Sequence, residues 1–107
     1  EKSYILVNEC VEAMLYAVSN AADGYNLLNL GGTTATNVTR IAELVVEAMG
    51  LVNVEFAYTG GKAGWPGDVP KFMLDVDALS RLGWRAQVAS EDAIRFAVRE
   101  LLKSHDR

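Results

Sequence analysis

Eleven residues concentrate the chemistry this sequence offers: Gly60-Gly61-Lys62-Ala63-Gly64-Trp65-Pro66-Gly67-Asp68-Val69-Pro70. Four glycines and two prolines surround one large aromatic and one carboxylate. Glycine loses the most backbone entropy on ordering, and proline lacks an N–H donor, so neither a helix nor a central strand suits this stretch. A loop with many special dihedrals does. Such a loop can bring backbone close to a ligand, and the carboxylate of Asp68, an acceptor-only group, can face a ligand hydroxyl. The same composition also suits a rigid turn between two strands, with Asp68 capping its own loop.

Other reactive side chains are sparse. Lys2 heads the first apolar segment, where a cation could meet a phosphate, although a lysine there also suits a plain solvated terminus. His105 is the single histidine and lies in the polar tail, which suits a solvated residue. Cys10 is the single cysteine, so no internal disulfide can form and a reducing compartment is expected. No Cys/His cluster has metal-ligand spacing, and no metal is expected. No serine sits in a Gly-x-Ser-x-Gly setting. Gly31-Gly32-Thr33-Thr34 falls between a strand and a helix, where anions can dock, but it lacks the dinucleotide and P-loop spacings and equally fits a plain turn. No complete catalytic set is present. An acid, a base and a cofactor site are expected upstream, if the parent protein is an enzyme.

The surrounding pattern supplies the elements that would hold these groups. Residues 3–7 and 25–30 have the apolar composition of short strands, as do Val54 to Tyr58 and Phe72-Met73-Leu74. Asn8 is a candidate cap for a helix with Cys10, Val11, Met14, Leu15 and Val18 on its apolar face. Thr36 is the candidate cap of a second helix, buried through Val38, Ile41, Val45 and Ala48 and stopped by Gly50. Asp75 caps a short helix ended by Gly83. Ser90 caps a last helix whose face is Ile94, Ala97, Val98, Leu101 and Leu102. The strand–helix alternation predicts an α/β fold, with a small, partly parallel sheet flanked by helices.

Composition bounds the rest. The chain has 107 residues, half of them hydrophobic and 22% charged, which suits one domain with a modest core. A net charge of −4 argues against nucleic acid or an anionic membrane as partner. No apolar run approaches the roughly 20 residues of a membrane span. A strand-like segment follows directly on Glu1, so the chain reads as a piece of a longer polypeptide. Cut out alone, residues 1–107 are expected to expose apolar surface and to self-associate.

Several motifs, taken in order, resemble one family. Lys2-Ser3-Tyr4-Ile5-Leu6-Val7-Asn8-Glu9-Cys10-Val11 resembles the segment that opens the C-terminal, substrate-binding part of extended short-chain dehydrogenase/reductases, the NAD-dependent nucleotide-sugar epimerases and dehydratases. Tyr25-Asn26-Leu27-Leu28-Asn29-Leu30-Gly31-Gly32 resembles their strand ending Asn-hydrophobic-Gly. Thr59 to Pro70 is similar to the substrate loop of the archaeal-type UDP-glucose 4-epimerases, and Leu82-Gly83-Trp84 matches a Leu-Gly-Trp near their end.

The resemblance implies that residues 1–107 are the C-terminal lobe of a larger Rossmann-type enzyme. It implies an N-terminal domain with the glycine fingerprint, NAD and a Tyr-x-x-x-Lys pair. NAD would be bound by that domain and not by this chain, which alone is expected to be inactive. The lobe would hold a nucleotide-sugar, with UDP-sugar favoured and cytoplasmic location expected. Substrate-binding residues carried over by position are Lys2 for the diphosphate and Asp68 for the ribose hydroxyls, with Lys62 and Trp65 in the same loop. The sequence departs from the family where an arginine usually grips the diphosphate. Ala63 and Trp65 stand at the candidate positions, with Lys62 adjacent. The alternative is a non-catalytic binding or regulatory protein on the same scaffold.

Overall fold

Helix boundaries follow local chemistry. The computed structural model describes residues 1–60 and 74–105. Among these lie four helices: α1 (Val7–Asn20), α2 (Val38–Met49), α3 (Asp77–Leu82) and α4 (Ser90–His105). Asn37 caps α2, its side chain accepting a hydrogen bond from Arg40 N at 2.8 Å. At the other end Gly50 turns left-handed, at φ 67°. Its N–H donates to Glu47 O, and Leu51 N–H donates to Val46 O, both at 3.1 Å. Gly83 closes α3 in the same way at φ 115°, and Trp84 N–H then returns to Leu79 O at 3.2 Å. That turn delivers Trp84 into the core.

The helices pack as two pairs, α1 with α3 and α2 with α4. Ala13, Leu79 and Trp84 form the first core, with Ile5, Tyr16, Ala17, Leu28, Leu30, Leu82 and Ala86 packed around it. The small side chain of Ala13 lets α3 approach. Burying a leucine such as Leu79 contributes about 1.5–3 kcal/mol relative to leaving it exposed. Leu44 of α2 and Ala93 and Ile94 of α4 are buried in the second pair.

The expected α/β fold with a partly parallel sheet is corrected: the described residues contain no strand. Their one β-bridge is an isolated antiparallel pair, Lys2 with Thr36. A sheet needs a second strand about 4.8 Å away with complementary donors and acceptors. Residues 25–30 and 54–58 run without helix or ladder and pair with no described backbone. Composition made these segments strand-like, but it could not supply a neighbour. Of the suggested strand at 72–74, only Leu74 is described, and it lies outside any ladder.

Three of the expected caps also move. Helix α1 starts at Val7 with no side-chain cap, so Asn8 lies inside it. Asn37, not Thr36, caps α2. Asp75 sits two residues ahead of α3 and its carboxylate accepts from Asp77 N at 3.0 Å. The apolar face expected for α1 is inverted. Val11, Met14, Leu15 and Val18 are exposed, Val18 at 83%, while the opposite side carries Ala13, Tyr16 and Ala17 into the core.

Candidate functional site

Construction of the site begins at Lys2. Its N–H donates to Thr36 O at 3.1 Å, and Thr36 N–H donates back to Lys2 O at 2.8 Å. Thr36 Oγ1 donates to Ser90 Oγ at 2.8 Å, and Tyr4 N–H donates to the same oxygen at 3.1 Å. Ser90 N–H donates to Thr34 Oγ1 at 2.8 Å. Thr36 and Ser90 are both buried, so these hydroxyls are shielded from water. The residue-2 segment, the turn at 31–37 and the start of α4 are therefore knit at one point. Ser90 is the first residue of α4, and its hydroxyl serves Tyr4 and Thr36 instead of capping its own helix.

Gly32 belongs to this knot. A Cβ built there would come within 2.7 Å of Ser3 Oγ, so a side chain at residue 32 would displace the Ser3 hydroxyl. Gly31-Gly32-Thr33-Thr34 thus acts as a packing turn whose Thr34 ties down α4.

The described residues on either side of the glycine-rich loop make contacts of their own. Tyr58 Oη accepts from Thr39 Oγ1 of α2 at 3.2 Å, two residues before Gly60. After the loop, Asp75 O accepts from Asn29 Nδ2 at 3.2 Å, and Gly31 lies against Leu74 and Val76. Tyr58 is thus tied to α2, and residues 74–76 to the segment that runs into the Lys2–Thr36 knot. Lys62, Trp65 and Asp68 themselves lie outside the described residues, so of the four sequence-derived site residues Lys2 alone is placed.

Charge near the knot is largely internally matched. Arg40 bonds Glu91 at 2.6 Å and Glu43 at 3.2 Å, while Arg95 bonds Glu91 at 2.7 Å and Asp92 at 2.8 Å. The hydrogen bond from Arg40 holds the Glu91 carboxyl below its usual range, with Arg95 adding to the effect. Glu91, and then Glu43, push Arg40 further up from its already high value. A cleft of about 410 Å³ opens here, lined in part by Thr36, Asn37, Arg40, Glu43 and Glu91. Its arginine is committed to two carboxylates, so it offers little to a diphosphate. Among the described residues no group of three or more His, Cys, Asp or Glu could hold a metal ion. No helix there is long and apolar enough to cross a membrane.

The ties made by Thr34 and Thr36, and the acceptance by Glu9 of the Gln87 and Val88 N–H groups, were not legible in the sequence. Ser90 and Thr36 were singled out only as helix caps. Tyr58 and Lys62 also stand at Tyr-x-x-x-Lys spacing. That interval puts two side chains on one face in a helix or a strand, and Tyr58 lies in neither.

The chain is similar to a crystal structure of UDP-galactose 4-epimerase. The two are 32% identical with a TM-score of 0.81, and the match covers 95% of this chain and 33% of that one. The chain therefore spans about a third of the length of that solved chain. No protein-family model and no curated protein matches it. The likeness supports an epimerase-like reading of nearly the whole chain.

Proposed function

We propose that this chain is the nucleotide-sugar-binding part of a larger NAD-dependent epimerase, of the UDP-glucose 4-epimerase type. The observation that carries this reading is the 32% identity at TM-score 0.81 over 95% of the chain. Lys2 supplies a cation for the diphosphate, and Asp68 supplies an acceptor for the ribose hydroxyls. Lys62 and Trp65 line the same loop. No G-x-G-x-x-G occurs in the 107 residues, so the pyrophosphate cradle for NAD does not fit this chain and belongs to the rest of the polypeptide. Its own Rossmann domain is the proposed partner within that polypeptide, and the cytoplasm the proposed location.

The test uses the longer polypeptide that carries this chain. Supplied with NAD and UDP-galactose, it is expected to form UDP-glucose. Asp68→Asn keeps shape and one acceptor oxygen but loses the charge. A charge-assisted hydrogen bond to a hydroxyl is worth about 1.5–3 kcal/mol, so UDP-sugar affinity is expected to fall roughly tenfold or more, with NAD affinity unchanged. A lower melting temperature with unchanged UDP-sugar affinity would leave Asp68 as a brace of its own turn. The uncharged Ala63 and Trp65 favour a second reading, a binding protein on the same scaffold. UDP-sugar binding without turnover selects it.

A further inference from the structure

We infer that Ser90, acting with Thr36, is a positioning residue that fixes the backbone of Lys2 for anion binding. The inference rests on the nucleotide-sugar reading above and deepens it. A lysine ammonium rides on a flexible four-carbon stem, so where it can act depends on how firmly its Cα is held. Here the hold comes from the far end of the sequence. Lys2 is paired on both its N–H and its C=O with Thr36, and the Thr36 hydroxyl is in turn bound to Ser90. Two residues on, the Tyr4 N–H ends on the same Ser90 oxygen. Ser90 Oγ therefore holds the segment directly at Tyr4 and, through Thr36, at Lys2, using both of its lone pairs. Ser90 and Thr36 are both buried, so the Thr36 hydroxyl has no water to turn to if Ser90 Oγ is removed.

Ser90 is itself held in place by the N–H it gives to Thr34. The residue after it, Glu91, binds Arg40 in the first turn of α2. Two consecutive residues of α4 thus tie the partner of Lys2, Thr36, and the first turn of α2 to one helix. A merely structural serine would stabilise the fold without regard to which residue sits at position 2. A positioning serine matters to anion affinity only while the lysine is there.

The experiment is a double-mutant cycle in the longer polypeptide, with UDP as probe, followed by titration calorimetry below each variant's melting temperature. Groups in one hydrogen-bond network couple by 0.5–3 kcal/mol, so Ser90→Ala is expected to weaken UDP by about 3- to 10-fold. Thr36→Val removes the linking hydroxyl and is expected to do the same, while Ser90→Thr restores the affinity. In a Lys2→Ala background, Ser90→Ala is expected to add less than about twofold. Where Ser90→Ala fails to fold, Thr36→Val carries the same cycle. Unchanged affinity in the folded variants, or an equal loss with and without Lys2, overturns the positioning role. A Lys2→Ala variant that binds UDP as the parent does overturns instead the assignment of Lys2 to the diphosphate. Absence of UDP binding in the unaltered protein overturns the nucleotide-sugar reading itself.

Discussion

Glu91 receives two guanidinium groups at once, from Arg40 on α2 and from Arg95 one turn along its own helix. The pair Arg40–Glu91 is the ionic tie between α2 and α4. Because the folded carboxyl titrates below its unfolded value, its contribution to stability is complete above the ordinary carboxylate range. It is lost as the pH falls through the lower, folded value. Glu91→Gln removes that dependence. The melting temperatures of parent and variant are expected to differ at neutral pH and to converge as the pH drops below the usual glutamate range. A gap that stays constant down to pH 3 would mean that Glu91 acts through packing and not through charge. Residue types such as these were legible in the sequence, but their partners were not. Arg40 and Glu91 are 51 positions apart, and no local pattern joins them.

At the scale of the element, stop signals were legible and faces were not. Gly50 and Gly83 end their helices where the sequence places them, because a left-handed residue is a local requirement. Ile94 faces inward as expected, whereas Leu101 does not. Helix α1 shows why. Its apolar residues mark a stripe, yet the side that packs is the one where small Ala13 admits α3 and Glu9 meets backbone donors. Periodicity reports how apolar a face is, not what stands opposite it. Two substitutions separate the faces. Ala13→Leu overpacks the α1–α3 contact and is expected to cost about 1–3 kcal/mol in chemical denaturation. Val18→Ser on the exposed side is expected to stay within about 0.5 kcal/mol at concentrations where the 107-residue chain is monomeric. Equal costs at the two positions would contradict the observed burial.

The molecule as a whole is spread out. Its radius of gyration is 16.9 Å, against about 13 Å for a compact chain of this length. Its extents are 56 × 35 × 19 Å, one dimension being little thicker than a pair of packed helices. Sequence composition announced a modest core but not this flatness, because the strand-like segments that would thicken it have no described partner. The exposed stripe of Val7, Val11, Leu15 and Val18 is expected to make the 107-residue chain self-associate when alone. Sedimentation velocity checks this, and a monomer that persists across a hundredfold concentration range would contradict it. The ties that do hold the plate together are long in sequence. Glu9 accepts from the N–H groups of Gln87 and Val88 at 2.7 and 3.3 Å, and Tyr4 reaches Ser90 across 86 positions. A ribosome delivers residues 2–13 well ahead of residues 79–90. At roughly 5–20 residues per second, the earlier segment waits several seconds for the residues that fasten it. Until then Glu9 has only water to bind and Ala13 has no α3 to meet. The segment around Lys2 thus emerges before the residues that secure it, and the interval before residue 90 emerges is when this part of the chain most needs protection from its neighbours.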